Sequence, residues 1–251
     1  MKFFLFALFL ANSAQAATYE LATIAGTPNA NLPFVAKILK KFVGMVPGAN
    51  ETDYTTGLFY FAERNGTETA QAIQILNERG NATKVDFAVS LDVAKNSAIV
   101  LATVGGGSPA AACERAASNP HTAYLFSAAM LNPNDPRDMN GPCRAKNILF
   151  VTSLNANLTD VGEYSPVGSL VRLAVPAMRL SAPVDEKRSV TYQSVGFGMA
   201  MAAGKMAKTL REYPFLEGSA LVERFLRTKT ARLGSLKGKV AGERALLQFN
   251  Q

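Results

Sequence analysis

The sequence predicts an α/β domain with a mainly parallel central sheet and helices on both faces. Three segments, residues 98–104, 123–129 and 148–154, are apolar throughout and do not alternate with polar residues. Continuous apolar strands are typical of a parallel sheet that helices cover on both sides. Helical segments alternate with the strands through short connections, which is the order of a doubly wound domain. Ligands of such domains bind at the carboxyl ends of the strands.

The elements follow from periodicity and from the residues that interrupt it. The predicted strands are residues 19–24, 57–62, 98–104, 123–129, 148–154, 170–175 and 190–195. The predicted helices are residues 34–43, 67–78, 83–95, 109–117, 199–212 and 219–228. The helix at 199–212 opens with MAMAAGKMAK, which is rich in Ala and Gly on every side for two turns, so it is expected to pack deep between neighbours.

The first sixteen residues have the pattern of a cleavable export signal. Lys2 precedes the apolar run at residues 3–11, and a small-residue cleavage site ends at Ala16. The run is shorter than the roughly 20 residues that a membrane helix needs. The alternative, a buried first helix, would show a polar face that this run lacks. We therefore expect a secreted or periplasmic protein with one domain at residues 17–251, no linker and no transmembrane anchor.

The positive charge is concentrated near the C-terminus. The chain carries +7 overall, and between Lys205 and Arg244 there are ten Lys/Arg against four Asp/Glu. Such a region can contact an anionic envelope polymer or lipid head group, or it can simply be a solvated helix face. A structural envelope protein would use Lys237, Lys239 and Arg244 in this way. No interleaved aromatic pattern suggests base stacking, so nucleic acid is not an expected partner.

Cys113 and Cys143 are the two cysteines of the chain. In an exported protein they are expected to form one disulfide, although two buried free thiols are also compatible with the sequence. No histidine lies beside them, so no metal site is predicted. The glycines at residues 105–107 lack the G-x-G-x-x-G spacing of a dinucleotide site, and no cofactor is predicted.

Six local sequences occur in series along the chain. They are LATIAGT at 21–27, NGTETA at 65–70, the strand and glycine loop at 98–110, FSAAMLN at 126–132, the EYSPVG passage within 148–168, and GFGMAMA at 196–202. Together they resemble, block by block and in order, the subtilase family of serine peptidases and its proteinase K branch in particular. The resemblance implies a subtilisin-like three-layer fold over nearly all of the mature chain.

The positions that match the family's catalytic residues lack the catalytic side chains. The family's Asp falls on Ala25, its His on Asn65 and its Ser on Gly198. The family's oxyanion Asn falls on Leu131, with Asn132 adjacent. Serine-protease catalysis needs an activated hydroxyl, a base and a group that orients the base. The resemblance therefore implies a pseudoprotease.

A peptidase with relocated catalytic groups is the alternative. The chain has a single histidine, His121, which the sequence places in a loop, and a surface role is the simpler interpretation. Ser194 and Lys205 are the other candidates for a rebuilt nucleophile, and Glu68 is a candidate base one helix step from Asn65. This hypothesis predicts cleavage that disappears in Ser194→Ala or His121→Ala.

Peptide binding can survive the loss of a catalytic triad. Within the resemblance, Thr103, Val104 and Gly105 line the substrate cleft, and an extended peptide can pair with their backbone as an added strand. The predicted helix start at Met199 would also leave free N–H groups that could hold an anion. We therefore expect a peptide or protein partner of unknown identity.

Overall fold

The structure is a computed structural model that describes residues 19–24, 54–59, 98–102, 109–131, 141–183 and 189–247. An eight-stranded sheet runs through it in the order β2-β1-β3-β4-β5-β6-β10-β9. Two further strands, β7 and β8, form a separate antiparallel pair. The strands are β1 Tyr19–Ile24, β2 Tyr54–Phe59, β3 Ile99–Ala102, β4 Ala123–Ser127, β5 Ile148–Leu154, β6 Val171–Pro176, β7 Leu180–Pro183, β8 Ser189–Tyr192, β9 Ala231–Arg232 and β10 Arg244–Ala245.

The large sheet is almost entirely parallel. Every neighbouring pair from β2 across to β10 is parallel, and β9 alone pairs antiparallel, with β10. The strands in the middle are buried along their length, as five consecutive residues of β4 show. Because these strands are parallel, their carboxyl ends lie at one edge of the sheet and their amino ends at the other.

Helices cover both faces of this sheet. Helix α2 (Val195–Glu212) and helix α3 (Gly218–Thr228) bury one face together with alternate residues of β3 to β6. Helix α1 (Pro109–Ala117) and a 3₁₀ turn at Gly141–Arg144 cover the other face. The predicted three-layer α/β architecture is confirmed.

The disulfide between Cys113 and Cys143 ties helix α1 to the 3₁₀ turn beside it. The two Cα atoms are 4.8 Å apart, and both residues are buried against the sheet. The bond therefore fixes the layer formed by α1 and this turn. In the described part of the chain, no helix combines the length and the apolar character that crossing a membrane requires.

Several predicted elements differ from the structure in their bounds. The strand predicted at 57–62 begins three residues earlier, and the one predicted at 123–129 ends at Ser127, where a 3₁₀ turn (Ala128–Met130) follows. The segment predicted at 190–195 forms β8, which pairs with β7 and not with the large sheet. The predicted helices at 34–43, 67–78 and 83–95 and the predicted export signal lie outside the described residues.

Candidate functional site

The carboxyl edge of the sheet is where the N-terminus of helix α2 meets the ends of the strands. The backbone N–H of Ser194 donates to the carbonyl oxygen of Ala177 at 2.9 Å, one residue beyond the end of β6. This hydrogen bond anchors the start of α2 beside β6. In the subtilisin-like arrangement that the sequence implies, the nucleophile would lie here.

Ser194 caps helix α2. Its side-chain hydroxyl accepts a hydrogen bond from the backbone N–H of Gly196 at 3.2 Å, while its own backbone is extended. This is the standard role of an N-cap serine, which satisfies one of the free N–H groups of the first turn. The hydroxyl is thus used structurally, and the helix begins at Val195.

The helix start differs from the prediction by four residues. The sequence predicts α2 from Met199, which would leave Gly198 just before the helix. In the structure Gly198 lies inside the first turn and is buried. The N–H groups of the first turn therefore belong to the residues that directly follow Ser194, and those of Gly196 and Phe197 already donate to Ser194. The anion-binding position expected at Met199 is wrong because Met199 is one turn further in.

Gly198 has no room for a side chain. A Cβ atom built on it would lie 2.0 Å from the carbonyl oxygen of Pro176 and 2.6 Å from Cγ2 of Val175. Carbon atoms in a packed interior normally approach to about 3.5–4.0 Å. The backbone of α2 and the end of β6 are therefore so close that glycine is required, and a serine at this position would collide with the strand.

Leu131, the position that matches the oxyanion asparagine, follows the 3₁₀ turn after β4. Its backbone N–H donates to the carbonyl oxygen of Ala128 at 3.1 Å. Its partly buried side chain packs against the core on the α1 face of the sheet. A leucine side chain offers no hydrogen-bond donor to a substrate carbonyl.

The remaining cleft positions lie outside the described residues. These are Ala25, Asn65 and Asn132, together with Glu68 and the predicted peptide-pairing segment Thr103, Val104 and Gly105. Strand β3, which leads into that segment, ends at Ala102 in the described part of the chain. Their convergence at the carboxyl edge stays a prediction.

His121 lies at the other edge of the sheet. It precedes β4 by two residues, so it lies at the amino end of the strands, whereas Ser194 follows their carboxyl ends. Its Nδ1 is 2.5 Å from Oε2 of Glu217, and both side chains are largely exposed. The structure therefore does not bring His121 and Ser194 together.

Lys205 is also separated from Ser194. The two residues are eleven positions apart along helix α2 and its cap, which corresponds to about 16 Å along the helix axis. Burial lowers the pKa of Lys205, and the neighbouring charges of Lys208 and Lys229 lower it further. A buried lysine can act as a base, but this one has no route to the Ser194 hydroxyl.

Two exposed apolar side chains lie at the carboxyl edge. Tyr164 is 92% exposed in the loop after β5, where Gly162 donates to the carbonyl oxygen of Ser153. Met178 is 42% exposed two residues beyond the end of β6. Sequence reasoning missed both, because exposure of a loop residue leaves no periodic signal. They supply apolar contact area at the edge where ligands of such folds bind.

Comparison with known proteins identifies the fold. No protein-family model matches the chain, and no curated protein matches it. Among solved structures, a cold adapted subtilisin-like serine proteinase superposes with a TM-score of 0.58, over 92% of this chain and 89% of that one, at 15% sequence identity. The fold is subtilisin-like. At this level of identity the likeness shows the fold alone, so activity must be argued from the residues of this chain.

Proposed function

We propose that this protein is an exported, catalytically inactive protein of subtilisin-like fold that binds a peptide or protein partner at the carboxyl edge of its sheet. The observation that carries the proposal is the contact at Gly198. The position that matches the catalytic serine has no side chain, and its surroundings admit none. A nucleophile there would require the backbone to move.

The geometry of the other polar groups also favours inactivity. Ser194 caps helix α2, and the two described candidates for activating its hydroxyl, His121 and Lys205, are far from it. His121 lies at the opposite edge of the sheet, and Lys205 lies about three turns along the helix. A relocated catalytic pair built from these residues would need distances that the fold does not offer.

The carboxyl edge keeps features that suit peptide binding. Tyr164 and Met178 are exposed there, and exposed aromatic and methionine side chains are enriched at recognition surfaces. Backbone pairing at Thr103, Val104 and Gly105, as the sequence resemblance implies, would add main-chain hydrogen bonds. Neither contribution depends on a catalytic serine.

A fluorophosphonate probe tests the absence of a nucleophile. The purified mature protein is treated with the probe beside an active subtilisin-type protease, and labelling is measured by intact mass. We expect no stoichiometric adduct on the wild-type protein or on Gly198→Ser. Labelling of one serine that disappears in Ser194→Ala would instead establish the relocated-peptidase alternative.

Peptide selection tests the binding function. Peptides enriched from a phage-displayed library on the immobilised protein are synthesised, and their affinities are measured by calorimetry. We expect Tyr164→Ser with Met178→Ser to weaken binding by about tenfold or more, as loss of central apolar contacts does. Phe215→Ser is the control, because Phe215 is 95% exposed but follows the C-terminus of helix α2, away from this edge. Equal loss in the control, or no enriched peptide, contradicts the proposal.

A further inference from the structure

A cavity lies between helix α3 and the last strands of the sheet. It has a volume of about 700 Å³, within the range of sites that accept small ligands or peptide side chains. Arg172 marks its position, because this residue lies at the start of β6 and its Nη1 donates to the carbonyl oxygens of Lys146 and Ile148 at the start of β5. The cavity is therefore near the amino ends of the strands, away from the N-terminus of α2.

The lining of this cavity is strongly positive. Five arginines and one glutamate line it, a net charge of +4. The arginines are Arg172, Arg224, Arg227, Arg232 and Arg244. They come from β6, α3, β9 and β10, so the fold gathers them from separate parts of the sequence. A concave surface lined by one sign of charge focuses the electrostatic potential and raises the local concentration of anions.

Two of these arginines have structural partners. Nη2 of Arg172 donates to Oε1 of Glu223 at 2.5 Å. Arg224 stacks over the ring of Tyr213, with its Cζ 4.1 Å from the ring centroid, and also donates to the hydroxyl of Tyr213. These contacts hold Arg172 and Arg224 in place as walls of the cavity.

Among the described residues, the other three arginines have no carboxylate partner. In the part of the chain that the structure describes, no carboxylate forms an ion pair with Arg227, Arg232 or Arg244. Arg232 and Arg244 lie directly opposite each other in the antiparallel β9–β10 pair, so their side chains point to the same face. Like charges placed opposite each other across strands destabilise a sheet. An anion bound between them would remove that repulsion.

The type of side chain indicates the type of ligand. The guanidinium group presents a planar fork of donors that matches a carboxylate with two parallel hydrogen bonds. The lining also includes apolar side chains, among them Leu216 and Leu226, and it includes Tyr213, which is 41% exposed. A ligand that carries both carboxylates and apolar groups fits this mixture better than a bare anion does.

We propose that this cavity binds an acidic peptide segment of a partner protein, with glutamate or aspartate carboxylates on Arg227, Arg232 and Arg244 and an apolar side chain against Leu216. The site does not depend on the proposed function of the carboxyl edge, since the two lie at opposite ends of the strands. It gives the basic C-terminal region a defined recognition surface.

Fluorescence anisotropy with a defined probe tests the proposal. The probe is a short fluorescein-labelled peptide in which glutamate alternates with leucine, and a second peptide has glutamine in place of each glutamate. We expect saturable binding of the glutamate peptide to the wild-type protein that weakens as salt rises above about 0.1 M. The glutamine peptide is expected to bind at least about tenfold more weakly, because it lacks the carboxylates.

Charge-matched variants locate the site. Arg232→Gln with Arg244→Gln should weaken binding of the glutamate peptide by about tenfold or more, as loss of arginines that contact a ligand does. Arg144→Gln with Lys237→Gln removes the same number of charges near Cys143 and Leu236, which are buried on the α1 face of the sheet. This control should bind as the wild type does.

Lysine variants keep the test valid if the glutamine pair fails to fold. Arg232→Lys with Arg244→Lys retains charge but loses the fork, so its affinity should lie between those of the wild type and the glutamine pair. The proposal is overturned if every arginine variant binds the glutamate peptide with wild-type affinity. It is also overturned if the control pair loses as much affinity as the arginine pair, or if the glutamine peptide binds as tightly as the glutamate peptide. Binding of inorganic polyphosphate to these arginines without binding of the glutamate peptide also overturns it.

Discussion

The contact between helix α2 and the end of β6 makes a quantitative prediction for Gly198→Ala. The new Cβ would lie 2.0 Å from a backbone oxygen and 2.6 Å from a valine methyl group, so helix and strand must separate by about 1 Å or more to reach normal contact. Overpacking of this kind costs roughly 1–3 kcal/mol. The backbone contact favours the upper end, because a backbone carbonyl cannot rotate away as a side chain can.

Alanine also brings a gain that partly offsets this cost. Replacing glycine inside a helix by alanine stabilises the helix by about 1 kcal/mol. The expected net effect of Gly198→Ala is therefore a loss of about 2 kcal/mol in the free energy of unfolding. For a domain of this size such a loss lowers the melting temperature by about 4–8 °C.

Urea denaturation followed by circular dichroism, with the disulfide intact, measures this loss. Gly234→Ala is the control, because Gly234 is exposed and a Cβ atom added to it would have no atom within 4 Å apart from those of its own residue and its two chain neighbours. It should change the free energy of unfolding by no more than about 0.5 kcal/mol. If Gly198→Ala is as stable as the wild type, α2 does not pack against β6 as described and the steric argument against a serine there fails.

Three further predictions concern the disulfide, an ion pair and the helix cap. Replacing both Cys113 and Cys143 by serine opens a loop with a sequence separation of 30 and should cost about 3–4 kcal/mol; a melting temperature unchanged by dithiothreitol would contradict this. Lys239 donates to Asp160 at 2.5 Å and, with the backbone N–H of Val161, lowers the pKa of that carboxyl. The stability from this pair is fully present above about pH 4, the ordinary pKa of an unfolded aspartate, and is lost as pH falls through the lower folded pKa. In Asp160→Asn, the free energy of unfolding measured by urea titration should therefore fall less as the pH is lowered. If it falls as much as in the wild type, the pair does not have this role. Ser194→Ala should cost about 1 kcal/mol in the free energy of unfolding and Ser194→Gly only a few tenths; equal losses would show that the hydroxyl does not cap α2.

The sequence predicts the middle of the fold well because those elements have strong local signals. The bounds of helix α1 and of β5 agree with the prediction, since a proline opens the former and the run ILFV opens the latter. Strands β9 and β10 contain two residues each, and no periodicity can be recognised over such a length. The pairing of β7 with β8 depends on tertiary contacts, so the sequence could suggest a strand at β8 but not its partner.

The start of helix α2 shows why the candidate site was harder to predict than the fold. Gly196 and Gly198 disfavour a helix by intrinsic propensity, and this favours a start at Met199. Close packing against β6 outweighs that preference, because only glycine allows the approach at Gly198. The N-cap preference of Ser194 is the signal that could have located the true start. The arginine cavity had no comparable signal, since its residues are spread from β6 to β10.

The position of Gly198 inside the helix changes what its glycine means. If it lay before the helix in open space, one substitution could place a hydroxyl at the position that matches the family's serine. Inside the first turn, the same substitution must first separate α2 from β6, and helix α2 is part of the core that supports β3 to β6. The structure therefore couples the absence of a side chain at position 198 to the packing of the sheet. Any side chain at position 198 would weaken the contact between α2 and β6 and so lower the stability of the protein. Glycine is therefore needed there for packing, whether or not the carboxyl edge binds a partner.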